Sequence, residues 1–576
     1  MHNWLLYTKI IITGGVILGL QLASSRIMTP FFGVNIHIWA SILSVTLIAL
    51  ALGYKIGGIL TNFWDKDGRL LAFITAGAAA SLWVTITCWS YPFVFSALTG
   101  LDLILGSIVA CFYMIFIPLI LLSALNPILV AVLQDNLEAA RQAGVANPLG
   151  KEDASSNDYG AGTVLFISTL GSVLGVFVVA YFMLPNITNY QTFVILSFVL
   201  ALTTIMLHLI LKTGRQHGYN KSLVFGILCA TFALVTFASG GLEKQTFFAK
   251  SVDSKGKELS WHTIDHVPSF FGSFKVIDVH DKKGPHSRFL MQDGLLQNKF
   301  MISDNFPSLP PNSSSSLYTY ILESLALATA KDPKHALVLG AGAGVVPMTF
   351  AERGIEVDSV DISREIVEVS KEHLWFDPNR FNTKINLHYK DARIAAKECA
   401  MAGRSDSGRD GKLYDIIIVD LFRGDGIPEH LVTQEFFLDL FACMTPEGVI
   451  VMNSFTHEEY DEAHHALLKT IHSVFGEIYA VYKTGQEGFL SAYFMGRKAK
   501  VIEGLGMDLS SIPYYLRLKF HDALESATIY DEWSPEIEDA DIITDVSNNW
   551  RQLIQPVESA YRKIVVKTAP WQVLMN

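Results

Sequence analysis

His335-Ala-Leu-Val-Leu-Gly-Ala-Gly-Ala-Gly344 is a short apolar strand that runs directly into three glycines at alternate positions. Without Cβ atoms, Gly340, Gly342 and Gly344 let backbone N–H groups approach a ligand at the start of the next helix. That helix reads to about Arg353 and stops at Gly354. The rhythm then continues with a strand at 356–362, a helix at 363–375, and strands at 386–391, 414–420 and 449–455. Strands of this length alternating with helices predict an α/β fold with a doubly wound parallel sheet.

Such sheets bind ligands at the carboxyl ends of their strands. Asp361 ends the second strand, 17 residues after Gly344, where a carboxylate can accept both ribose hydroxyls. Asp391-Ala392 ends the third strand, where a carboxylate can accept from the exocyclic amine of adenine. Asp420 ends the fourth strand and would face the reacting centre. One strand-end Asp reads equally well as a helix cap, but three beside a glycine loop read as a nucleoside pocket. Upstream, residues 274–302 alternate in β fashion about an Asp293-Gly294 turn, predicting a small β-hairpin region.

The first 241 residues are of another kind. Half of the 576 residues are hydrophobic, 17% are charged, and most of the charge lies beyond residue 241. Seven runs reach the roughly 20 apolar residues that a bilayer core demands, near 7–28, 37–61, 69–91, 101–124, 161–184, 190–211 and 222–239. They predict a polytopic α-helical membrane domain whose first helix, lacking a basic n-region, is retained. Gly14, Gly15, Gly19, Gly53, Gly57, Gly58, Gly171 and Gly175 suit close helix approach in lipid. Arg26 and Lys55 stand out as charges at helix ends, Pro118 and Pro127 should break the fourth run, and 135–160 should be a polar loop.

The basic residues of the short loops place the N-terminus in the cytoplasm, and seven spans would then leave the C-terminal domain outside. Adenosyl nucleotides are made in the cytoplasm, which favours the opposite side. The net charge of −11 argues against a nucleic-acid partner. The five cysteines include no close pair, so neither a disulfide framework nor a Cys-based metal site is expected.

Several stretches carry a family likeness: Gln292-Asp-Gly-Leu-Leu-Gln297, the glycine loop, Val360-Asp361-Ile-Ser, Asp391-Ala392, Tyr414-Asp-Ile-Ile-Ile-Val-Asp420 and Thr433-Gln-Glu-Phe-Phe437. Through them, residues 269–455 resemble the spermidine synthase (polyamine aminopropyltransferase) family, whose fold is Rossmann-like and methyltransferase-type. Arg26-Ile-Met-Thr-Pro-Phe-Phe-Gly33 and Gly53-Tyr-Lys-Ile-Gly-Gly58 look like its bacterial membrane-fused members. The resemblance implies that Asp361 holds the donor ribose, Asp391-Ala392 the adenine, and Gln297 the nucleoside flank. Asp420 would be the catalytic proton acceptor. The implied reaction moves a propylamine group from decarboxylated S-adenosylmethionine to an amine such as putrescine, giving spermidine and methylthioadenosine.

The sequence also departs from the family. Ala343 stands where the loop usually carries an Asp for the donor's ammonium, and Tyr318-Thr319-Tyr320 replaces a Tyr-His-Glu stretch. Asp420-Leu-Phe-Arg423 replaces Asp-Ser-Ser-Asp, so Arg423 occupies an anion's place, with Asp425 a nearby substitute. Tyr318, Arg423 and Asp425 are therefore the candidate substrate-binding residues. An S-adenosylmethionine-dependent methyltransferase, or a transporter or sensor with a nucleotide-binding domain, stays open.

The expected plan is a transmembrane domain over 1–241, a linker and hairpin over 242–332, a catalytic domain over 333–500, and a packed C-terminal segment over 501–576. The expected partners are a small-molecule amine and the bilayer of the inner (cell) membrane, with a homodimer open, a catalytic domain leaning cytoplasmic, and no metal.

Overall fold

Among the described residues between 3 and 239 the apolar runs form seven helices long enough to cross a bilayer: Asn3–Phe32, His37–Phe63, Lys66–Leu98, Leu103–Asn136, Gly160–Met183, Asn189–Leu211 and Asn220–Ser239. The computed structural model describes residues 3–33, 36–101, 103–142, 156–211, 217–240, 249–252, 258–281, 286–302, 313–403, 412–424, 426–499 and 512–575. The chain divides into two units, Met1–Phe247 with Trp571–Asn576, and Phe248–Pro570.

In the helical unit the glycines work as close-approach points. A Cβ on Gly171 would meet the backbone of Ile11, and one on Gly175 the backbone of Gly15. Gly53 and Gly57 likewise admit Ser123 and Ala124 of the fourth helix, whereas Gly58 faces open space. The prolines do not end that helix. Each lies in the first turn of a restarted segment (Ile117–Ser123 after a π-helical turn, then Leu125–Gln142), where a missing N–H has no helical partner to lose. The expected polar loop is shorter than 135–160, because helix continues to Gln142 and resumes at Ser156. The most deeply buried cation is neither Arg26 nor Lys55 but Lys9, whose Nζ donates to the carbonyls of Phe73 (2.7 Å) and Ile74 (2.9 Å). Trp571, near the chain's end, packs on Phe93 of the third helix with ring centroids 4.8 Å apart.

The second unit has two sheets. The expected hairpin is part of a six-stranded antiparallel sheet in sequential order: β1 Ala249–Val252, β2 Glu258–Ser269, β3 Gly272–Asp281, β4 His286–Gln292, β5 Leu295–Ile302 and β6 Ser313–Ser314. The turn is where the sequence puts it. Asp293 and Gly294 join β4 to β5 with φ of 48° and 81°, the left-handed pair that a tight hairpin requires.

The larger sheet has eight strands in the order β14-β12-β13-β11-β10-β7-β8-β9. They are β7 His335–Leu339, β8 Glu356–Asp361, β9 Ile385–Tyr389, β10 Tyr414–Val419, β11 Met444–His457, β12 Ile478–Thr484, β13 Phe489–Arg497 and β14 Thr528–Tyr530. The five parallel strands β7 to β11 are those read from the sequence. The antiparallel edge of β12, β13 and β14 is not, because its residues lack the strand–glycine–helix punctuation of the others. Alternate residues of the central strands feed separate cores on the two faces: Leu337, Leu339, Ile417 and Val419 on one, Ala336, Val338, Ile416 and Ile418 on the other. Burial on both faces is why these strands read as unbroken apolar runs.

One further feature differs from expectation. Cys399 and Cys443, 44 residues apart in sequence, are joined as a disulfide with a Cα–Cα distance of 5.6 Å. In the acidic stretch 539–545, Ile543 is buried and Asp545 accepts from Arg393 at 2.6 Å.

Candidate active site

The chain passes from β7 to β8 and β9 on one side, then returns to β10 on the other. A crevice opens at such a reversal, and here it is a cavity of about 550 Å³. Gly340, Gly342, Ala343, Asp361, Asp391, Ala392, Asp420, Gln297, Tyr318 and Arg423 all line it. Gly344 instead sits at the start of the helix Val345–Glu352, packed on Phe376. Asp425 lies outside the described residues.

Gly340 is what brings the two central strands together. Its N–H donates to Val360 O at 2.8 Å, Asp420 N–H donates to Leu339 O at 2.8 Å, and a Cβ on Gly340 would collide with the carbonyl oxygen of Asp420. Its φ of +96° also disfavours any other residue.

Asp361 closes the glycine loop by accepting from Ala341 N (3.1 Å) and Gly342 N (3.2 Å) on Oδ2 and from Ser363 N (2.9 Å) on Oδ1. Burial raises its pKa, and these three N–H donors oppose the rise. Three donors leave acceptor capacity on the carboxylate for hydroxyls. Asp391 both lines the cavity and does a cap's work: Oδ1 accepts from Arg393 N at 2.8 Å, and Oδ2 lies 3.1 Å from His430 Nε2. The His430 contact holds its pKa below the usual value.

Asp420 is set differently. Its Oδ1 accepts from Asn453 Nδ2 at 2.8 Å. Burial pushes its carboxyl up to about 6, against the Asn453 hydrogen bond and with a smaller upward push from the Asp361 charge. A carboxyl titrating there is tuned for proton transfer near neutral pH. Tyr318 donates to Gln297 O and accepts from Asn298 Nδ2, both at 3.2 Å. Burial raises its phenol well above the ordinary value, and the Asp420 charge raises it further.

Sequence reasoning missed several lining groups. Asn453 lies in the predicted fifth strand without having been singled out, and Tyr493, Lys483 and Tyr561 come from elements that carry no motif. Tyr561 stacks on Phe489 at 4.7 Å from the helix Trp550–Thr568. That helix is anchored by the buried Arg562, whose Nη1 donates to Asp293 O at 3.1 Å. Only register and chain return place these side chains beside Asp420.

Residues 315–495 match the family model described as the spermine/spermidine synthase domain. The polyamine aminopropyltransferase of Vibrio vulnificus is 34% identical over 181 residues, 31% of this chain and 55% of that protein. Polyamine aminopropyltransferase 2 of Pseudomonas aeruginosa is 28% identical over 219 residues, 36% of this chain and 55% of that protein. The chain thus spans about half the length of these curated relatives. A probable spermidine synthase from Corynebacterium glutamicum aligns with a TM-score of 0.37 at 18% identity, over 49% of this chain and 95% of that one. From residue 315 to 495 the C-terminal half of this chain is thus similar to the spermine/spermidine synthase domain and to polyamine aminopropyltransferases.

Proposed function

We propose that the chain is an aminopropyltransferase, moving a propylamine group from an adenosyl sulfonium donor to an amine. Decarboxylated S-adenosylmethionine and putrescine are the reference substrates. The observation that carries this reading is the convergence of Asp361, Asp391 and Asp420 on one cavity, with Asp420 raised to about 6. Asp361 and the glycine loop would hold the ribose, and Asp391 with Ala392 the adenine. The acceptor nitrogen forms a bond to the carbon next to sulfur, the C–S bond breaks, and neutral methylthioadenosine leaves. Asp420 takes the proton the nitrogen loses. The rest of the acceleration would come from holding nitrogen and carbon in line.

Asp420→Asn is expected to lower methylthioadenosine release by roughly 10²–10⁴-fold while calorimetric binding of methylthioadenosine stays within a few-fold of wild type. Full turnover by this variant would sink the assignment. A second reading, methyl transfer from intact S-adenosylmethionine, is favoured by Ala343 and Arg423 in the lining. It would release S-adenosylhomocysteine in place of methylthioadenosine.

We infer also that the seven apolar helices cross the inner (cell) membrane, with the catalytic unit on the cytoplasmic side where adenosyl donors are made. Reporter fusions that fluoresce only in the cytoplasm, placed after residue 240 and at the C-terminus, check the side.

A further inference from the structure

The half of the cavity away from the nucleoside acids is cationic. Asp391 and Gly340 follow β9 and β7, Asp361 ends β8, Asp420 follows β10, and beyond it come β11, β13 and β12. Register carries the cavity wall across those last strands: Asn453 is level with Tyr493, Phe455 with Ser491, and Ser491 with Lys483. All five line the cavity. At about 4.8 Å between neighbouring strands, β12 stands roughly 14 Å from β10, which puts Lys483 at the far end of a co-substrate whose reacting atom meets Asp420.

Lys519, from the helix Tyr514–Glu525, and Lys299, from β5, line the same cavity. Burial, and then the charge of Lys519, lowers the proton affinity of both Lys299 and Lys483, so each of these two senses Lys519. Among the described residues none of them has a carboxylate partner; Lys299 lies over the Phe289 ring at 5.4 Å. Among the described residues the acidic groups in the lining are Asp361, Asp391 and Asp420, all on the β8 to β10 side; Arg423 and Lys390 also line it, Lys390 on the nucleoside side and paired with Glu398 at 2.6 Å.

A diamine brings a second ammonium group to this wall. Like charges repel, more strongly beside the partly buried Lys299 and Lys483 than beside the exposed Lys519, and desolvated charges need opposite partners. A carboxylate reverses the sign. We propose that the co-substrate meeting Asp420 carries a carboxylate received by Lys483, Lys519 and Lys299, so that this site takes an amino-acid-like amine or a carboxylated donor in place of a simple diamine with a decarboxylated donor. This rests on the reading that the site transfers a carbon chain to an amine, and it narrows the substrate class. The bond changes are the same in either case: nitrogen to carbon forms, carbon to sulfur breaks with its electron pair passing to sulfur, and the proton goes to Asp420.

The test uses the full-length protein in detergent, with methylthioadenosine release as the readout. Putrescine is compared with ornithine and cadaverine with lysine, each pair differing by one carboxylate, and every acceptor is offered decarboxylated and intact S-adenosylmethionine. A kcat/KM about tenfold or more higher for ornithine and lysine places the carboxylate on the acceptor. The same preference for the intact donor places it on the donor. In either case the combined Lys483→Gln and Lys519→Gln variant should lose the preference while binding methylthioadenosine as wild type does. Best use of putrescine with the decarboxylated donor, or a preference that survives the lysine substitutions, overturns the proposal. Absence of methylthioadenosine with every pair would sink the transfer reading instead. Calorimetry then decides the carboxylate question: ornithine should bind the methylthioadenosine-loaded protein about tenfold tighter than putrescine, or intact S-adenosylmethionine the free protein about tenfold tighter than its decarboxylated form, and the lack of both preferences refutes it.

Discussion

Asp420 was legible as the strand-end acid facing the reacting centre, but nothing in the sequence set its proton affinity apart from that of Asp361 or Asp391. The structure separates them by their donors. Asp361 accepts three backbone N–H groups, Asp391 those of Arg393 and Ile394 with a histidine, and Asp420 one side-chain amide. With the fewest donors to offset burial, Asp420 is the carboxyl raised to about 6. If Asp420 is the base, it must be ionised to take a proton, so kcat/KM should fall about tenfold per pH unit below pH 6 and lose that dependence above it. Asn453→Leu removes the hydrogen bond that lowers this pKa, so the acid limb should move to higher pH. An unmoved limb would show that another group sets it.

At the scale of elements, the glycine loop was readable because its physical demand is local: positive φ and absent side chains are properties of single residues. Gly340 and Gly342 nevertheless do different jobs. A methyl group on Gly342 meets nothing within 4 Å, so Gly342→Ala bears only the strain of its φ of 48°, about 1–2 kcal/mol. Gly340→Ala adds a collision with the Asp420 carbonyl and should cost more than 2 kcal/mol, with a visibly lower Tm and weaker donor binding. Equal melting temperatures for the two variants would contradict this account. The antiparallel edge was not legible for the opposite reason: β12 and β13 are specified by pairing with β11, a non-local partner. The prolines of the fourth helix show the same limit, since whether a proline breaks a helix depends on where the helix restarts.

For the whole molecule, seven long apolar helices and a charged α/β unit were both evident from composition and periodicity. If the helices span a bilayer, the protein should remain in the membrane pellet after an alkaline carbonate wash and be released only by detergent; recovery in the wash would refute the reading. By itself the sequence determined the helices, the parallel strand succession, the hairpin turn and the three strand-end acids. Each depends on periodicity or on a residue's own conformational preference, which a linear pattern records. Only the tertiary structure decided that Lys483, Lys519 and Lys299 share a wall of the cavity, that Lys9 is buried against backbone carbonyls, and that Cys399 meets Cys443. Those juxtapositions join residues far apart in the chain. Charge and burial at a site are sums over such neighbours, so the nucleoside half could be read in advance and the co-substrate half could not.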